Sequence, residues 1–175
     1  LYFKTLYPNA QIKAFEADPK IAEILKKNMT DNNIQQVEVY KTAVWVKDEM
    51  IQFNSEGADA GSITFSDGKN KVNIQGIRLR TMLEKEKKID MLKMDIEGAE
   101  SAVMEDCQDV LGKIDHIFIE YHNHTNSPQS LDRILYILNK NGFRYYLETA
   151  NRIKSPLLKD TNNKNFQTNI FAIKL

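Results

Sequence analysis

Two short runs of this chain are predominantly apolar, and each stops at acids. Ile89 to Met94 is followed by Asp95-Ile96-Glu97-Gly98-Ala99-Glu100, and Ile114 to Ile119 is followed by Glu120-Tyr121-His122. Apolar runs of that length read as strands covered on both faces, the environment of a parallel sheet. Parallel neighbours require crossovers, and helical stripes follow both runs: Val103, Cys107, Val110 and Leu111 after the first, Leu131, Ile134, Leu135 and Leu138 after the second. Ser127-Pro128 opens the latter helix, and Asn141-Gly142 closes it with glycine at the left-handed position.

The same rhythm starts the chain. Leu1 to Tyr7 reads as the tail of a helix, and Ile12 to Phe15 as a strand ending in Glu16. Asp18-Pro19 supplies an N-cap and a first-turn proline to a helix carrying Ile21, Ile24, Leu25 and Met29, which Asn32-Asn33 stops. Val37 to Tyr40 is a second strand, followed by Thr42-Ala43-Val44. Ile51–Phe53, Ile63–Phe65 and Val72–Ile74 read as β-like pieces of a peripheral excursion among Gly57, Gly61, Gly68 and Gly76, and Leu79 to Glu86 as a short helix. Phe143 to Leu147 and Asn169 to Leu175 have no helical stripe between them, which predicts antiparallel neighbours. The fold class is therefore α/β: one domain over residues 1–175, a mostly parallel Rossmann-like sheet with a closing antiparallel hairpin.

In such sheets ligands sit beyond the carboxyl ends of the strands. Glu16, Asp95, Glu97, Glu120 and His122 all fall there. Acids also cap helices, where the dipole favours them, and Asp18 does so. That leaves Glu16 free for another task, and a carboxylate after the second strand of a nucleotide-binding unit can accept two hydrogen bonds from ribose hydroxyls. Asp95, Glu97 and Glu100 crowd negative charge into six residues, which raises at least one pKa and costs stability. Glu100 is the simplest to explain, as a first-turn helix acid facing solvent or the helix end. Asp95 and Glu97 are expected in one cleft with Glu120 and His122.

Leu92-Lys93-Met94-Asp95-Ile96-Glu97-Gly98-Ala99-Glu100 resembles the signature of the FkbM-type methyltransferases. Ala14-Phe15-Glu16-Ala17-Asp18-Pro19 with Leu25-Lys26-Lys27-Asn28 resembles that family's second-strand motif and following helix. Thr42-Ala43-Val44 matches its position beside adenine, and Gly61-Ser62, Arg78-Leu79 and Met82-Leu83 resemble later, weaker marks. The resemblance implies transfer of a methyl group from S-adenosylmethionine, usually to a hydroxyl. It implies Glu16, Ala17, Thr42, Ala43, Val44 and Asp95 as cofactor-binding residues. Asp95, Glu97, Glu120 and His122 are then the candidates for catalysis, with His122 having the most suitable ordinary pKa for a general base. The family's first strand and its glycine-rich loop would lie before Leu1, and Ala17 stands where the family usually has proline. Without that central strand, two sheet edges would either close on each other or pair with another chain, so a homo-oligomer through sheet edges is one expected arrangement.

Composition narrows the partners. Lysine plus arginine and aspartate plus glutamate number 24 each, so charge balance gives no reason to expect nucleic acid or an anionic membrane surface. No apolar run reaches a membrane span, and the opening residues do not read as a signal peptide. A single cysteine, Cys107, excludes an internal disulfide and fits a cytoplasmic setting. It falls on an apolar helical face and reads as core, as His116 reads as structural and Trp45 as packing. Asp95, Glu97, Glu120 and His122 could ligate a divalent ion, but no tight motif such as His-Glu-x-x-His supports one, so no metal is expected. The expected partner is a small-molecule acceptor, a hydroxyl-bearing metabolite or sugar. Two rivals remain. A dinucleotide-dependent oxidoreductase shares the second-strand acid but gives no use for the crowded acids at Asp95. A degenerate, non-catalytic binding or assembly module would fit loss of the glycine-rich loop.

Overall fold

The computed structural model describes residues 1–54, 62–63, 71–124, 128–150 and 166–175. The chain divides into two compact units, Leu1–Ile77 and Arg78–Leu175.

In the first unit, α1 (Tyr2–Leu6) precedes β1 (Ile12–Phe15), α2 (Pro19–Asp31) and β2 (Val37–Tyr40). β1 and β2 pair in parallel, with Ile12 opposite Val37 and Phe15 opposite Tyr40; the last two rings stack at 4.9 Å. Asp18 is the N-cap: its Oδ1 accepts from the N–H groups of Lys20 (2.8 Å) and Ile21 (3.3 Å), donors that the first turn of a helix cannot satisfy internally. Ala22 is the one fully buried residue of α2. Ile24, expected on the apolar stripe, is 54% exposed: it lies one position off the line of Ile21, Leu25 and Met29, which are half-buried.

The excursion forms a sheet of its own, from β3 (Ala43–Trp45), β4 (Met50–Asn54), β5 (Ser62–Ile63) and β6 (Lys71–Arg78), in the order β3-β6-β4-β5. β4 runs antiparallel to β5 and β6. Ala43 and Ile74 centre a small core against which Ala17, Ile51 and Val72 pack. Phe65, Gly57, Gly61 and Gly68 lie outside the described residues.

The second unit contains α3 (Leu79–Lys85), β7 (Ile89–Met94), α4 (Glu100–Cys107), a 3-10 turn at Leu111–Lys113, β8 (Ile114–Asn123), α5 (Leu131–Lys140), β9 (Phe143–Thr149) and β10 (Phe166–Lys174). Its sheet has the order β7-β8-β10-β9. β7 and β8 are parallel. β10 is antiparallel to both β8 and β9 and lies between them, so β9 runs parallel to β8 across a crossover that contains α5. The chain is thus α/β and Rossmann-like, with the expected antiparallel closing pair. Met94, Ile117, Ile119, Ile170 and Ala172 are buried on one face of this sheet, and α4 contacts both β8 and α5. Val103, Met104, Cys107, Ile134 and Leu138 are fully buried, and the four larger side chains each contribute about 1.5–3 kcal/mol by leaving water. Cys107 is core, and burial pushes its thiol up to about 12.

Three details depart from the sequence reading. β7 is not covered on both faces: Met91 and Lys93 are exposed while Met94 is buried, because the strand alternates and Met91 and Lys93 share the open side. β8 continues past Ile119 through His122 to Asn123, so Glu120 and His122 are strand residues rather than residues beyond a strand. α5 starts at Leu131 with Ser130 as its cap residue, beyond Pro128, while Ser127 lies outside the described residues. The Ser130 N–H donates to the Tyr121 hydroxyl at 3.0 Å, so a side chain from β8 serves where a local cap would. Gly142, at φ +79°, ends α5 as expected.

Removing the Asp18 carboxylate should cost about 0.5–2 kcal/mol, the usual worth of an N-cap. Urea denaturation of Asp18→Ala should therefore show a lower midpoint than the native chain, and an unchanged midpoint would contradict the capping role.

Candidate active site

The segment Asp95–Glu100 leaves the end of β7 and enters α4 through a turn with two left-handed residues. Glu97 has φ +54° and Gly98 φ +100°. Glutamate in that region is strained, by an amount on the order of 1–3 kcal/mol. Gly98 has a second constraint, because a Cβ there would meet the His124 ring at 3.0 Å. The turn points its N–H groups inward. Those of Ile96 and Gly98 donate to one oxygen, Glu100 Oε1, at 3.3 and 3.0 Å.

Glu100 is therefore not the solvent-facing helix acid that the sequence suggests. It is completely buried. Its Oε1 also lies 3.0 Å from His122 Nδ1. Since that oxygen already accepts from two N–H groups, Nδ1 is the donor of the third bond. Its second oxygen, Oε2, is buried and has no hydrogen-bond partner among the described residues. Gly98 was the available signal in the sequence: a glycine between acids marks a turn whose inward N–H groups need an acceptor, and Glu100 is the nearest carboxylate that can curl back.

With Nδ1 committed, the other ring nitrogen of His122 faces the remaining acids. His122 Nε2 is 3.5 Å from Glu97 Oε2 and 4.0 Å from Glu120 Oε1. Asp95, Glu97 and His122 each offer a ligating atom, all within 4.8 Å of one another. Lys93 Nζ lies 3.0 Å from Asp95 Oδ2. The structure thus brings Asp95, Glu97, Glu120 and His122 together at the carboxyl ends of β7 and β8.

Electrostatics follow from the crowding. Burial disfavours charge on His122, but the hydrogen bond to Glu100 and the charges of Glu100, Glu97 and Asp95 outweigh it and push the imidazole up to about 8. Glu97 is raised above the usual carboxylate range, first by burial and then by repulsion from Asp95, Glu100 and Glu120, against the pull of His122.

The other candidates belong to the first unit. Glu16 follows β1 and is half-buried. Its Oε1 accepts from the Asp18 N–H at 2.8 Å, and burial raises its pKa. Thr42 precedes β3, and its hydroxyl is buried with no partner among the described residues. Ala43 is buried, with Ala17 packed against it, while Val44 is half-buried. His116 Nδ1 lies 3.0 Å from the Asp90 carbonyl, and Trp45 is half-buried rather than core, donating through Nε1 to Glu49 Oε1 at 3.2 Å.

A family model described as the methyltransferase FkbM domain matches residues 3–145. The chain belongs to the FkbM methyltransferase family. Membership makes it an S-adenosylmethionine-dependent methyltransferase and removes the hydride-transfer alternative. Among solved structures, the precorrin-6y C5,15-methyltransferase of Geobacter metallireducens GS-15 is similar, with a TM-score of 0.51 and 15% identity over 98% of this chain and 71% of that one. Trm5b from Pyrococcus abyssi has a TM-score of 0.46 and 15% identity over 96% of this chain and 39% of its own. TYW2 from M. jannaschii, solved in complex with AdoMet, has a TM-score of 0.44 and 10% identity over 97% of this chain and 61% of its own. No curated protein matches. Among the described residues, no helix is long and apolar enough to cross a membrane.

Breaking the Glu100–His122 pair from the carboxylate side should be costly, because it leaves a buried imidazole and two N–H groups without their acceptor. Glu100→Ala should lose about 3–5 kcal/mol in urea denaturation, and a loss within error of zero would contradict the buried geometry. The His122 ring should titrate near 8 in NMR spectra recorded with chelator present. Because the folded value lies above the ordinary 6.5, the stability drawn from its charge is full below pH 6.5 and is lost as pH rises through 8. A ring titrating at or below its ordinary value would contradict the assigned partners.

Proposed function

We propose that this methyltransferase acts on a hydroxyl group, carried by a small molecule or a sugar. The observation that carries the reading is the cluster around His122. A hydroxyl must give up its proton as the methyl arrives, and it needs an acceptor for that proton within hydrogen-bond reach. Glu97 and Glu120 place two such acceptors beside His122, whose ring becomes a third as pH rises through 8, and Glu100 orients that ring among them.

When bound, S-adenosylmethionine supplies a methyl group that is already activated by its sulfonium. The protein's part is then in-line positioning and proton acceptance. The first unit has groups suited to the cofactor. Half-buried Glu16, whose Oε1 accepts from the Asp18 N–H, is a carboxylate suited to ribose hydroxyls. The Thr42 hydroxyl, buried and without a partner among the described residues, is one that a bound nucleoside can satisfy. Ala17, Ala43 and Val44 offer an apolar border to adenine. Asp95 has two suitable tasks, placing the cofactor or holding the acceptor, and Lys93 restrains its carboxylate for either.

Losing a carboxylate that holds ribose hydroxyls should cost about 1.5–3 kcal/mol per charged hydrogen bond. Calorimetric titration of Glu16→Ala with S-adenosylmethionine should therefore show affinity weakened by about tenfold or more. Unchanged affinity would remove Glu16 from the cofactor site.

A further inference from the structure

Glu97, Glu100 and Glu120 crowd the His122 imidazole, with Lys93 alongside at Asp95. Glu100 fixes the tautomer of a neutral ring, with the proton on Nδ1 and the lone pair on Nε2. That lone pair then faces oxygen acceptors, Glu97 Oε2 at 3.5 Å and Glu120 Oε1 at 4.0 Å. Acceptors repel acceptors, and a proton on Nε2 or a metal ion between them relieves that repulsion. A second, separate observation points the same way. Glu100, whose side chain is 1% exposed, turns its carboxylate on His122 and leaves Oε2 with no partner among the described residues.

We propose that Asp95, Glu97 and His122 bind a divalent cation of the Mn2+ or Zn2+ type through one oxygen of each carboxylate and Nε2 of the imidazole. Their ligating atoms lie within 4.8 Å of one another, a spread that a common ion can close with small rotations of the two partly exposed carboxylates. The mixed set of oxygen and imidazole donors suits Mn2+, Zn2+ or Fe2+ better than Mg2+, which prefers oxygen alone. Glu100 then has the role found behind metal-bound histidines, a carboxylate that receives the other ring N–H and sets the direction of the lone pair. Glu97 is held in a left-handed conformation by the same turn that binds Glu100, which aims its carboxylate at Nε2. A compact metal-binding sequence motif is absent because the ligands come from two places, the turn after β7 and the end of β8.

The role of the ion, though not its binding, rests on the acceptor being a hydroxyl. A hydroxyl that approaches the ion is made more acidic. Glu120, just beyond the three ligands, is then the group left to receive its proton.

The test is titration of the chelator-stripped chain with Mn2+ at pH 8, followed by calorimetry and by the loss of the free-ion electron paramagnetic resonance signal. Neither S-adenosylmethionine nor an acceptor is present, so failure here leaves the methyl-transfer reading standing. The expected result is a single saturable site that Zn2+ displaces. Asp95→Asn and Glu97→Gln, both at partly exposed positions, should weaken it by about tenfold or more, and Glu100→Gln, behind the ligand, by roughly 10–100-fold. Circular dichroism would show that the Asp95→Asn and Glu97→Gln variants remain folded. The proposal is overturned by no binding at millimolar Mn2+ or Zn2+, which would leave a proton as the positive centre. It is equally overturned by affinities that Asp95→Asn and Glu97→Gln leave unchanged.

Discussion

The buried carboxylate of Glu100 is the group on which the organisation of the site depends. One oxygen ties together three things that the sequence holds apart: the N–H groups of Ile96 and Gly98 in the turn after β7, and the ring of His122 on β8. A charged-type group at zero exposure is costly unless it is bonded, and Oε1 takes all three of these bonds. The left-handed backbone at Glu97 and Gly98 serves that demand, since this turn brings the N–H groups of Ile96 and Gly98 to one acceptor. The strain at Glu97 is then offset by the hydrogen bonds that it permits.

The parallel register makes this arrangement reproducible. Met94 stands opposite Ile119, so the residues that leave β7 and the last residues of β8 emerge side by side. Helix α4, packed on β8 and α5, fixes where Glu100 enters. The apolar core of the second unit thus sets the positions of acids that would repel one another if they were free. Raised pKa values at Glu97 and His122 are the electrostatic record of that constraint.

Much of this was legible in the chain itself. The strands at Ile12–Phe15 and Val37–Tyr40, the Asp18 cap and the antiparallel closing pair follow from local pattern, and they occur where the pattern puts them. The signature around Asp95 pointed to the FkbM family, which the match over residues 3–145 shows. What local pattern could not supply was pairing between distant segments. The burial of Glu100 depends on His122, and the extension of β8 through Asn123 depends on β10 lying alongside it, with Gln167 opposite His122. The open face of β7 was equally hidden, since Met91 and Lys93 alternate with apolar residues in a run short enough to be taken for a fully covered strand. The start of α5 depended on the Tyr121 hydroxyl, a cap supplied from another element.

The central proposal is that Glu97, Glu120 and His122 serve the acceptor. Single-turnover transfer from methyl-labelled S-adenosylmethionine to a set of hydroxyl-bearing acceptors, compared between native protein and Glu97→Gln with cofactor affinity measured on the same samples, tests it most directly. The account predicts that transfer falls by roughly 10²–10⁴-fold, the usual worth of acid–base assistance, while cofactor affinity stays the same. Native rates in Glu97→Gln, or a loss of transfer wholly explained by lost cofactor binding, would contradict it.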